Sequence, residues 1–300
     1  MPDAPLFELK NAASVDTAQL HASVSEAFAD YLIGPFDVEL AQWPQLLARQ
    51  CIALSLSQVA LSAQLTEQQV LAFALAAPRT DLSVWRLASM GAVPAARGSG
   101  AAPRLLDDFI ARAEAAGMQE VELEVFAQNE RALRLYQSRG FKALHELHGY
   151  EAEPLGSLAP STAPLECPTE AEELQLSREQ ALAWLQQAER EHFRDLPLQV
   201  TAAVLATNSQ PLQAWQLGSA LLVFHHADAA TLHIASLIDR DPAQTHALHL
   251  LRRLRAQHST LHCRAHELHR ADVGGRAMLE AGFTRSPLHQ LLMRRCLRAG

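Results

Sequence analysis

The sequence predicts an α/β (α+β) fold of two modules, each a mixed, mostly antiparallel twisted sheet flanked by helices. Two observations support this fold class. Apolar residues recur with strand and helix periodicity in an alternating order through the first half. Two short motifs of that half return in the same order in the second half, LASM as IASL and LYQSRGF as AMLEAGF. The sequence therefore indicates a duplicated module.

The first module contains, in order, a strand, two helices, three strands, a helix, a strand, a helix and a strand. Pro44 is expected to break the second helix, and Leu54, Leu56 and Val59 to mark one face of the second strand. Gly117 falls where a left-handed residue ends the third helix. The stretches that carry these elements are PLFELKNA, VDTAQLHASVSEAFADY, VELAQWPQLLARQ, IALSLSQVALSA, QQVLAFALAA, SVWRLASMGAV, RLLDDFIARAEAAG, QEVELEVFA, NERALRLYQSRG and FKALHELHGYE.

The chain is predicted to divide near its middle. Prolines recur in a Ser, Thr and Glu background from residue 153 to residue 176, which is typical of a semi-extended linker. Ser177 and Gln180 then form a capping-box pattern at the start of a helix. We therefore expect a first domain at 1–152, a linker at 153–176 and a second domain at 177–300.

Composition narrows the functional classes. The 300 residues carry 33 acidic against 25 basic side chains, a formal net charge of -8, which disfavours nucleic acid and anionic membranes as partners. The four cysteines have no metal-ligand or disulfide spacing, the N-terminal residues show no signal peptide, and no apolar run reaches the ~20 residues that span a bilayer. We expect a cytoplasmic protein with no membrane or nucleic-acid partner and no bound metal.

The stretch VPAARGSGAAPRLL combines an Arg, two glycines and a helix start. Glycine lets backbone N–H groups approach a ligand, and a helix N-terminus adds unpaired donors and partial positive charge. Pro103 suits the first helical turn, and Arg97 can contact a phosphate. The stretch is therefore a candidate pyrophosphate site. The alternative is a surface turn that leads into a helix.

Three phosphate-loop patterns can be compared with this stretch. The triphosphate pattern G-x-x-x-x-G-K-[ST] lacks its Lys and its second Gly. The dinucleotide pattern G-x-G-x-x-G is interrupted, because Pro103 stands where the third glycine belongs. Arg97, Gly100 and Ala102 satisfy the remaining pattern, R-x-x-G-x-[GA].

The motif NERALRLYQSRGF follows further along the chain. The loop, its spacing and this N-x-x-A-x-x-x-Y-x-x-x-G-F motif resemble the GNAT family, the GCN5-related N-acetyltransferases, over most of residues 5–150. The resemblance implies acetyl-CoA as co-substrate, with the backbone of Ala92 and Val93 beside its pantetheine arm. It also implies that Asn129 contacts the cofactor where two strands separate. The residues implied around the pyrophosphate are Arg97, Gly98, Ser99, Gly100, Ala101 and Ala102.

Acetyl transfer to an amine needs a group that protonates the departing thiolate and a group that deprotonates the amine. By resemblance, Tyr136 is the general acid, and the alternative is packing against Leu133 and Ala132. The base stays open, because the strand VWRLASMGAV contains no Glu. Ser89 is a weak base, and Glu124, a water chain or an amine that is already neutral are the other possibilities.

The acceptor is expected to be an amine of a small molecule or peptide. In the family the segment between the first two helices usually lines the acceptor pocket, and here it is FADYLIGPFD. Asp30, Tyr31 and Asp37 lie in it, and acidic groups suit a cationic amine. The alternative is that these carboxylates are simply solvated.

The second module resembles the first but lacks its site residues. Its loop position reads IDRDPAQTHALHLLRRL, without glycines and with Asp239 and Asp241, which repel phosphate. The position of Tyr136 falls on Met278, and that of Asn129 falls near Ala271. We therefore expect a degenerate module with a structural role, which closes an exposed strand or shapes the acceptor pocket.

Most of the fourteen histidines lie in this second half. Their spacing in HSTLHCRAHELH suits a metal site on a helix, but the segment corresponds to a strand of the first module. We therefore expect surface histidines and no zinc site. The four concerned are His258, His262, His266 and His269.

Together these features predict a tandem N-acetyltransferase whose first module moves the acetyl group of acetyl-CoA to an amine by direct transfer in a ternary complex. Two alternatives stay open: a non-catalytic acyl-CoA-binding or regulatory protein, and a structural pair of modules that binds a partner. The duplication is compatible with a monomer, since a fused second module can take the place of a dimer partner.

Overall fold

A computed structural model describes residues 7–63, 69–79, 82–156 and 173–297. Contacts divide the chain into two compact units. The first contains Met1–Val125, Asn129–Leu144 and Met293–Gly300, and the second contains Phe126–Gln128 and His145–Leu292. These bounds differ from the expected 1–152 and 177–300, because strand pairing joins distant parts of the sequence. Most of the expected linker falls in 157–172, outside the described residues, and its end forms a strand.

The first unit follows the predicted order of strands and helices. Its elements are β1 (Phe7–Asn11), α1 (Thr17–Ala27), α2 (Trp43–Arg49), β2 (Gln58–Ser62), β3 (Val70–Arg79), β4 (Val84–Ala92), α3 (Ala101–Ala115), β5 (Glu120–Phe126) and α4 (Glu130–Ser138). Strands β1 to β4 pair antiparallel with their neighbours, and β4 pairs parallel with β5. This is the mixed, mostly antiparallel sheet that the sequence predicts.

Helices α1 and α3 both pack on strands β3 and β4. The predicted apolar face of α3 is buried, with Leu105 and Leu106 fully enclosed and the Phe109 ring against Trp85. Gly117 follows α3 with φ +78°, which confirms its predicted left-handed conformation at the helix end. Local signals therefore placed this helix correctly.

Two details of the first unit differ from the prediction. Leu54–Leu56 forms a single 3₁₀ turn, and β2 begins only at Gln58. The Ser57 hydroxyl donates to the carbonyl of Ala53, and this local bond competes with an extended backbone. Pro44 lies in the first turn of α2 and begins that helix rather than breaking it, because its missing N–H has no partner to lose there.

A buried group of ion pairs lies on β5. The Glu122 carboxylate is fully buried and accepts from Arg79 at 2.8 Å and from Arg294 at 2.9 Å. Arg294 belongs to the last strand, β12 (Thr284–Cys296), whose residues from Met293 onward are part of the first unit. Residues at the far end of the sequence therefore neutralise a carboxylate in the core of this unit.

We expect Arg294→Met to lower the free energy of unfolding of the full chain by about 2–4 kcal/mol, because a fully buried carboxylate loses one of its two cationic partners. Urea denaturation measures this change. The control is Arg134→Met, whose exposed pair with Glu130 within α4 should contribute about 0.5 kcal/mol or less. Equal effects of the two substitutions would show that the buried pairs do not stabilise the unit.

Within the described residues, the second unit contains the following helices and strands, some of them shared with the first unit. They are β6 (Lys142–Ala152), β7 (Glu173–Leu176), α5 (Arg178–Glu191), α6 (Ala202–Thr207), β8 (Gln213–Leu217), β9 (Ala220–His226), β10 (Thr231–Asp239), α7 (Thr245–Gln257), β11 (His262–Arg270), α8 (Arg276–Glu280) and the first part of β12. The predicted capping box of Ser177 and Gln180 is present at the start of α5.

The two units share features at corresponding positions, which supports the predicted repeat. Strands β7 to β10 pair antiparallel and β10 pairs parallel with β11, the same succession as in the first unit. A bulge interrupts β4 at Ala88 and β10 at Ala235, the second residues of the repeated LASM and IASL motifs. Gly140 and Gly282 both have positive φ and both precede a buried Phe.

The expectation of surface histidines is wrong for part of the second unit. The segment from His262 is a strand, as predicted, but His225 and His269 are buried. The His269 Nδ1–H donates to the carbonyl of His266 at 3.1 Å, and its Nε2 has no hydrogen-bond partner among the described residues. Burial lowers the pKa of His269 from 6.5 to about 4.

The depressed pKa of His269 predicts acid sensitivity. The unfolded chain binds this proton near pH 6.5 and the folded chain does not until about pH 4, so stability falls as the pH drops through that window. Between about pH 7 and pH 5 the loss from this group is about 2 kcal/mol. Urea denaturation at both pH values should show a flatter pH dependence for His269→Asn. The exposed control His192→Asn should keep the wild-type dependence, and identical behaviour of the two variants would contradict the assignment.

Candidate functional site

The strands β4 and β5 separate partway along their length. Their parallel pairing runs from Val84 and Glu120 to Leu87 and Leu123 and ends there. The bulge at Ala88 follows at once, and beyond it β4 continues to pair with β3 only. The residues up to Leu87 are buried, whereas residues 88–92 are half-buried. One side of β4 therefore presents unpaired backbone groups toward the opening.

The segment after β4 forms an open loop. Val93 is buried, a short turn covers Pro94–Ala96, and Gly98 and Gly100 adopt φ values of +89° and +85°. Only glycine adopts this conformation without strain. A Cβ atom built at either glycine meets nothing within 4 Å, so the space above the loop is empty. The loop therefore has the backbone geometry that the sequence predicts for a phosphate cradle.

Helix α3 begins with several available donors. The N–H groups of Gly98, Gly100 and Ala102 have no hydrogen-bond partner within the part of the chain that the structure describes. The Ala101 N–H reaches only the Ser99 hydroxyl, at 3.3 Å. Gly100 is the N-cap residue and has no side chain to satisfy these groups. Unpaired N–H groups at a helix N-terminus suit an anion.

The guanidinium of Arg97 pairs with a residue at the end of α1. It donates to both carboxylate oxygens of Asp30 at 2.6 Å and to the carbonyl of Ala27 at 3.1 Å. The pair is solvent-accessible, with 32% of the Arg97 side chain and 63% of the Asp30 side chain exposed. The hydrogen bond and charge of Arg97 lower the pKa of Asp30, so this carboxylate stays ionised at neutral pH.

Asn129 is the N-cap of α4. Its side-chain oxygen accepts from the N–H of Ala132 at 3.1 Å, which fixes the start of the helix. Its side chain also forms a hydrogen bond with the phenol of Tyr31, three residues beyond Phe28, the C-cap of α1. The predicted cofactor contact therefore lies beside the segment predicted to line the acceptor pocket.

Tyr136 lies on α4 and is buried, with its ring edge-on to Phe141 at 5.9 Å. Burial, and secondarily Tyr31, raise the pKa of Tyr136 above its ordinary value. A phenol is protonated at neutral pH at its ordinary pKa, and the shift makes Tyr136 a weaker acid than an exposed tyrosine. A protonated phenol close to Tyr31 has the state that a proton donor requires. The packing expected from the alternative interpretation is also present, on Phe141.

The two side chains considered as bases have different surroundings. Glu124 follows the last paired residue of β5, and its Oε2 accepts from the Arg86 Nε–H at 2.7 Å. Its Oε1 is buried and has no hydrogen-bond partner among the described residues. Ser89 lies one residue beyond the bulge of β4. Glu124 is the one with a buried oxygen left to accept a proton.

The sequence did not predict the contacts that connect these residues. Asp30 and Arg97 are separated by 67 positions, and no spacing rule relates them. Because Asp30 and Tyr31 are adjacent, their contacts bring Arg97 of the loop and Asn129 of α4 to the same end of α1. The predicted site residues thus form one group within the first unit.

The second unit closes the corresponding loop with its own side chains. Helix α7 begins after Gln244, which has φ +58° where Gly100 stands in the first unit. The buried Asp239 carboxylate accepts from the N–H of Ala247 at 3.0 Å, in the first turn of α7, and from Ser219 at 2.6 Å. A carboxylate of the chain itself therefore occupies the helix N-terminus.

The strand opening of the second unit is also filled. The parallel pairing of β10 with β11 ends at His233 and Arg264. The turn Leu198–Val200 contacts both strands, and the Ser236 hydroxyl donates to the carbonyl of Val200 at 3.0 Å. The backbone of this turn thus accepts a hydrogen bond from a side chain of β10, one residue beyond the bulge.

Neither metal ligation nor membrane insertion is indicated by the geometry. Across the described ranges, no three His, Cys, Asp or Glu side chains are grouped so that they could hold a metal ion. None of the helices in the described part of the chain is long and apolar enough to cross a membrane.

Comparison with known proteins agrees with this geometry. Residues 23–141 match the family model described as the acetyltransferase (GNAT) family. No curated protein sequence matches the chain.

Solved structures share the fold of the whole chain. A GCN5-related N-acetyltransferase from Sphaerobacter thermophilus is 15% identical, with a TM-score of 0.67 over 100% of this chain and 98% of that one. A GCN5-related N-acetyltransferase from Anabaena variabilis, also 15% identical, has a TM-score of 0.63 over 97% and 73%. A putative acetyltransferase from Pyrococcus horikoshii is 12% identical, with a TM-score of 0.62 over 98% and 90%. At these identities the likeness concerns the fold.

The open loop predicts a specific effect of Gly100→Glu. The new carboxylate would lie in the empty space above the loop and repel phosphate, so we expect coenzyme A binding to weaken by roughly 100-fold or more. Gly117→Glu is the control, because Gly117 has a similar φ of +78°, equally open surroundings and a position at the other end of α3. Calorimetric titration measures both affinities. Unchanged affinity in Gly100→Glu would refute the loop as the phosphate site.

Proposed function

We propose that the first unit is an N-acyltransferase that moves the acetyl group of acetyl-CoA to a primary amine of a small molecule or peptide. The match of residues 23–141 to the GNAT acetyltransferase family model supports this proposal. The observation that carries the proposal is the open edge of β4, which leads directly into a glycine loop with unpaired N–H groups. Such a path suits an extended ligand that has a pyrophosphate next to its extended arm.

The residues present fit this co-substrate. The half-buried edge of β4 up to Ala92 and the backbone of Val93 would hold the pantetheine arm by backbone hydrogen bonds. The backbone of Gly98, Ser99, Gly100, Ala101 and Ala102 would hold the pyrophosphate, with Arg97 and Asn129 as polar side-chain contacts. Acetyl-CoA would supply the thioester carbonyl that the amine attacks and the thiolate that leaves.

Two side chains of the chain would handle the protons. The phenol of Tyr136, which is protonated at neutral pH like any phenol, would donate its proton to the departing sulfur. The free Oε1 of Glu124 would accept a proton from the amine, while Arg86 holds the other carboxylate oxygen in place. The amine nitrogen then bonds to the acyl carbon as the carbon–sulfur bond breaks, without a covalent intermediate on the protein.

We propose that the second unit binds no acetyl-CoA and has a structural role. Asp239 at the start of α7 and the turn Leu198–Val200 between β10 and β11 support this, since both take positions that a cofactor would need. One binding site per chain is therefore expected. We further propose that the protein works as a monomer in the cytoplasm, because the fused second unit can replace a dimer partner.

Replacement of Tyr136 by Phe tests the catalytic role. We expect turnover, measured as release of free thiol from acetyl-CoA with a panel of primary amines, to fall roughly 100-fold. The calorimetric affinity for acetyl-CoA should stay within about twofold at one site per chain, because the phenyl ring keeps its packing. Tyr150→Phe removes the same hydroxyl from the second unit and should leave turnover unchanged.

The same measurements separate the competing functions. Binding of acetyl-CoA without turnover on any amine would favour the non-catalytic acyl-CoA-binding protein. Absence of binding would favour the structural pair of modules, and two sites per chain would contradict the closed second unit. Equal turnover of wild type and Tyr136→Phe would leave Tyr136 as a packing residue.

A further inference from the structure

Two predicted cofactor contacts, Arg97 and Asn129, are already occupied by adjacent residues of the chain. Asp30 receives hydrogen bonds from both terminal nitrogens of Arg97, each at 2.6 Å. Tyr31, the next residue, forms a hydrogen bond with the side chain of Asn129. We call Asp30 and Tyr31 the α1 latch, because they follow α1 and contact Arg97 of the loop and Asn129 of α4.

The contact between Asp30 and Arg97 uses the donors that a phosphate would use. A guanidinium binds a carboxylate or a phosphate through the same pair of parallel N–H groups. Here both terminal nitrogens point at Asp30, and one of them also donates to the carbonyl of Ala27. Arg97 therefore cannot form a two-point contact with pyrophosphate while Asp30 keeps this position.

The exposure of this pair makes an exchange of partners feasible. The Glu122 side chain is fully buried, and 4% of the side chain of its partner Arg79 is exposed. Breaking this pair would leave an unpaired charge in the core. Asp30 has 63% of its side chain exposed and would be solvated on release. Of these carboxylates, Asp30 is the one that can exchange its arginine partner for water at low cost.

We propose that Asp30 is an internal competitor of the acyl-CoA pyrophosphate for Arg97. Binding of acyl-CoA transfers Arg97 from Asp30 to phosphate and draws Asn129 away from Tyr31, which releases the α1 latch. The segment that follows, predicted to line the acceptor pocket, is then freed from the loop, so that the acceptor side opens once the acyl donor is bound. This inference rests on the proposed function, because it takes acyl-CoA as the ligand of the loop.

Calorimetric titration with coenzyme A tests the competition. Asp30→Asn removes the competing charge and should tighten binding about two- to fivefold, the range expected for an exposed ion pair. Arg97→Ala should weaken binding about tenfold through the lost charge-assisted contact. In the Asp30→Asn, Arg97→Ala double variant, the Asp30 substitution should have no further effect, since it acts through Arg97 alone.

Glu26→Gln is the matched control for the charge change. Glu26 is exposed on the last turn of α1, so its substitution removes one negative charge close to Asp30 without touching Arg97. Its coenzyme A affinity should equal that of the wild type. A gain of affinity as large as that of Asp30→Asn would show a general charge effect and overturn the proposal.

The outcomes distinguish the inference from the proposed function. If wild type binds coenzyme A and Asp30→Asn binds equally well or more weakly, the competition is refuted and the proposed function stands. If neither protein binds coenzyme A, the proposed function itself fails, and the inference with it. Binding by Asp30→Asn alone would support both.

Hydrogen exchange gives a second readout that does not depend on affinity. In the wild type, coenzyme A should slow exchange at amides 98–102 and accelerate it at Phe28–Tyr31, because Arg97 no longer holds the end of α1. Asp30→Asn should show the fast exchange at Phe28–Tyr31 without ligand. Slower exchange at Phe28–Tyr31 on binding would mean that the segment closes over the ligand, and it would overturn the release.

Discussion

One additional residue in β4 determines the geometry of the candidate site. Before the bulge at Ala88, β4 pairs on both sides, with β3 and with β5. After it, β4 keeps β3 and loses β5, so a row of backbone groups is left without a strand partner. A sheet that buries unpaired backbone is unstable unless something else satisfies those groups. The opening beside β4 begins at this interruption, and the glycine loop and the start of α3 come directly after it along the chain.

The second unit shows what the same interruption becomes when the chain satisfies it internally. Its bulge lies at the equivalent Ala235, and its parallel pairing also ends early. The carbonyl of Val200 meets Ser236 in the opening, and Asp239 meets the first turn of α7. The two units therefore have similar folds. They differ in whether the polar groups at the strand opening and at the start of the following helix are bonded within the chain or remain available to a ligand.

The arginine–carboxylate ion pairs of the first unit fall into two groups, which differ in how deeply they are buried. Arginine and carboxylate meet inside the sheet at Glu122 and Glu124, where neither partner can leave without stranding a charge. They meet again at Asp30 and Arg97, where both partners are accessible to water. The first kind fixes strands β3, β4, β5 and β12 together. The second kind joins the loop to the segment after α1 through a pair that water can replace at little cost.

The sequence alone determined the order of elements in the first unit, the caps at Ser177 and Gly117, and the glycine loop, because each is fixed by neighbours within a few residues. It misread Leu54–Leu56, where a serine hydroxyl outweighed alternation, and the histidines, whose burial depends on the packing around them. Only the tertiary structure brought Asp30 to Arg97 and Arg294 to Glu122, 67 and 172 positions apart. A local pattern fixes backbone conformation, whereas the partner of a charge depends on which distant segments the fold brings together.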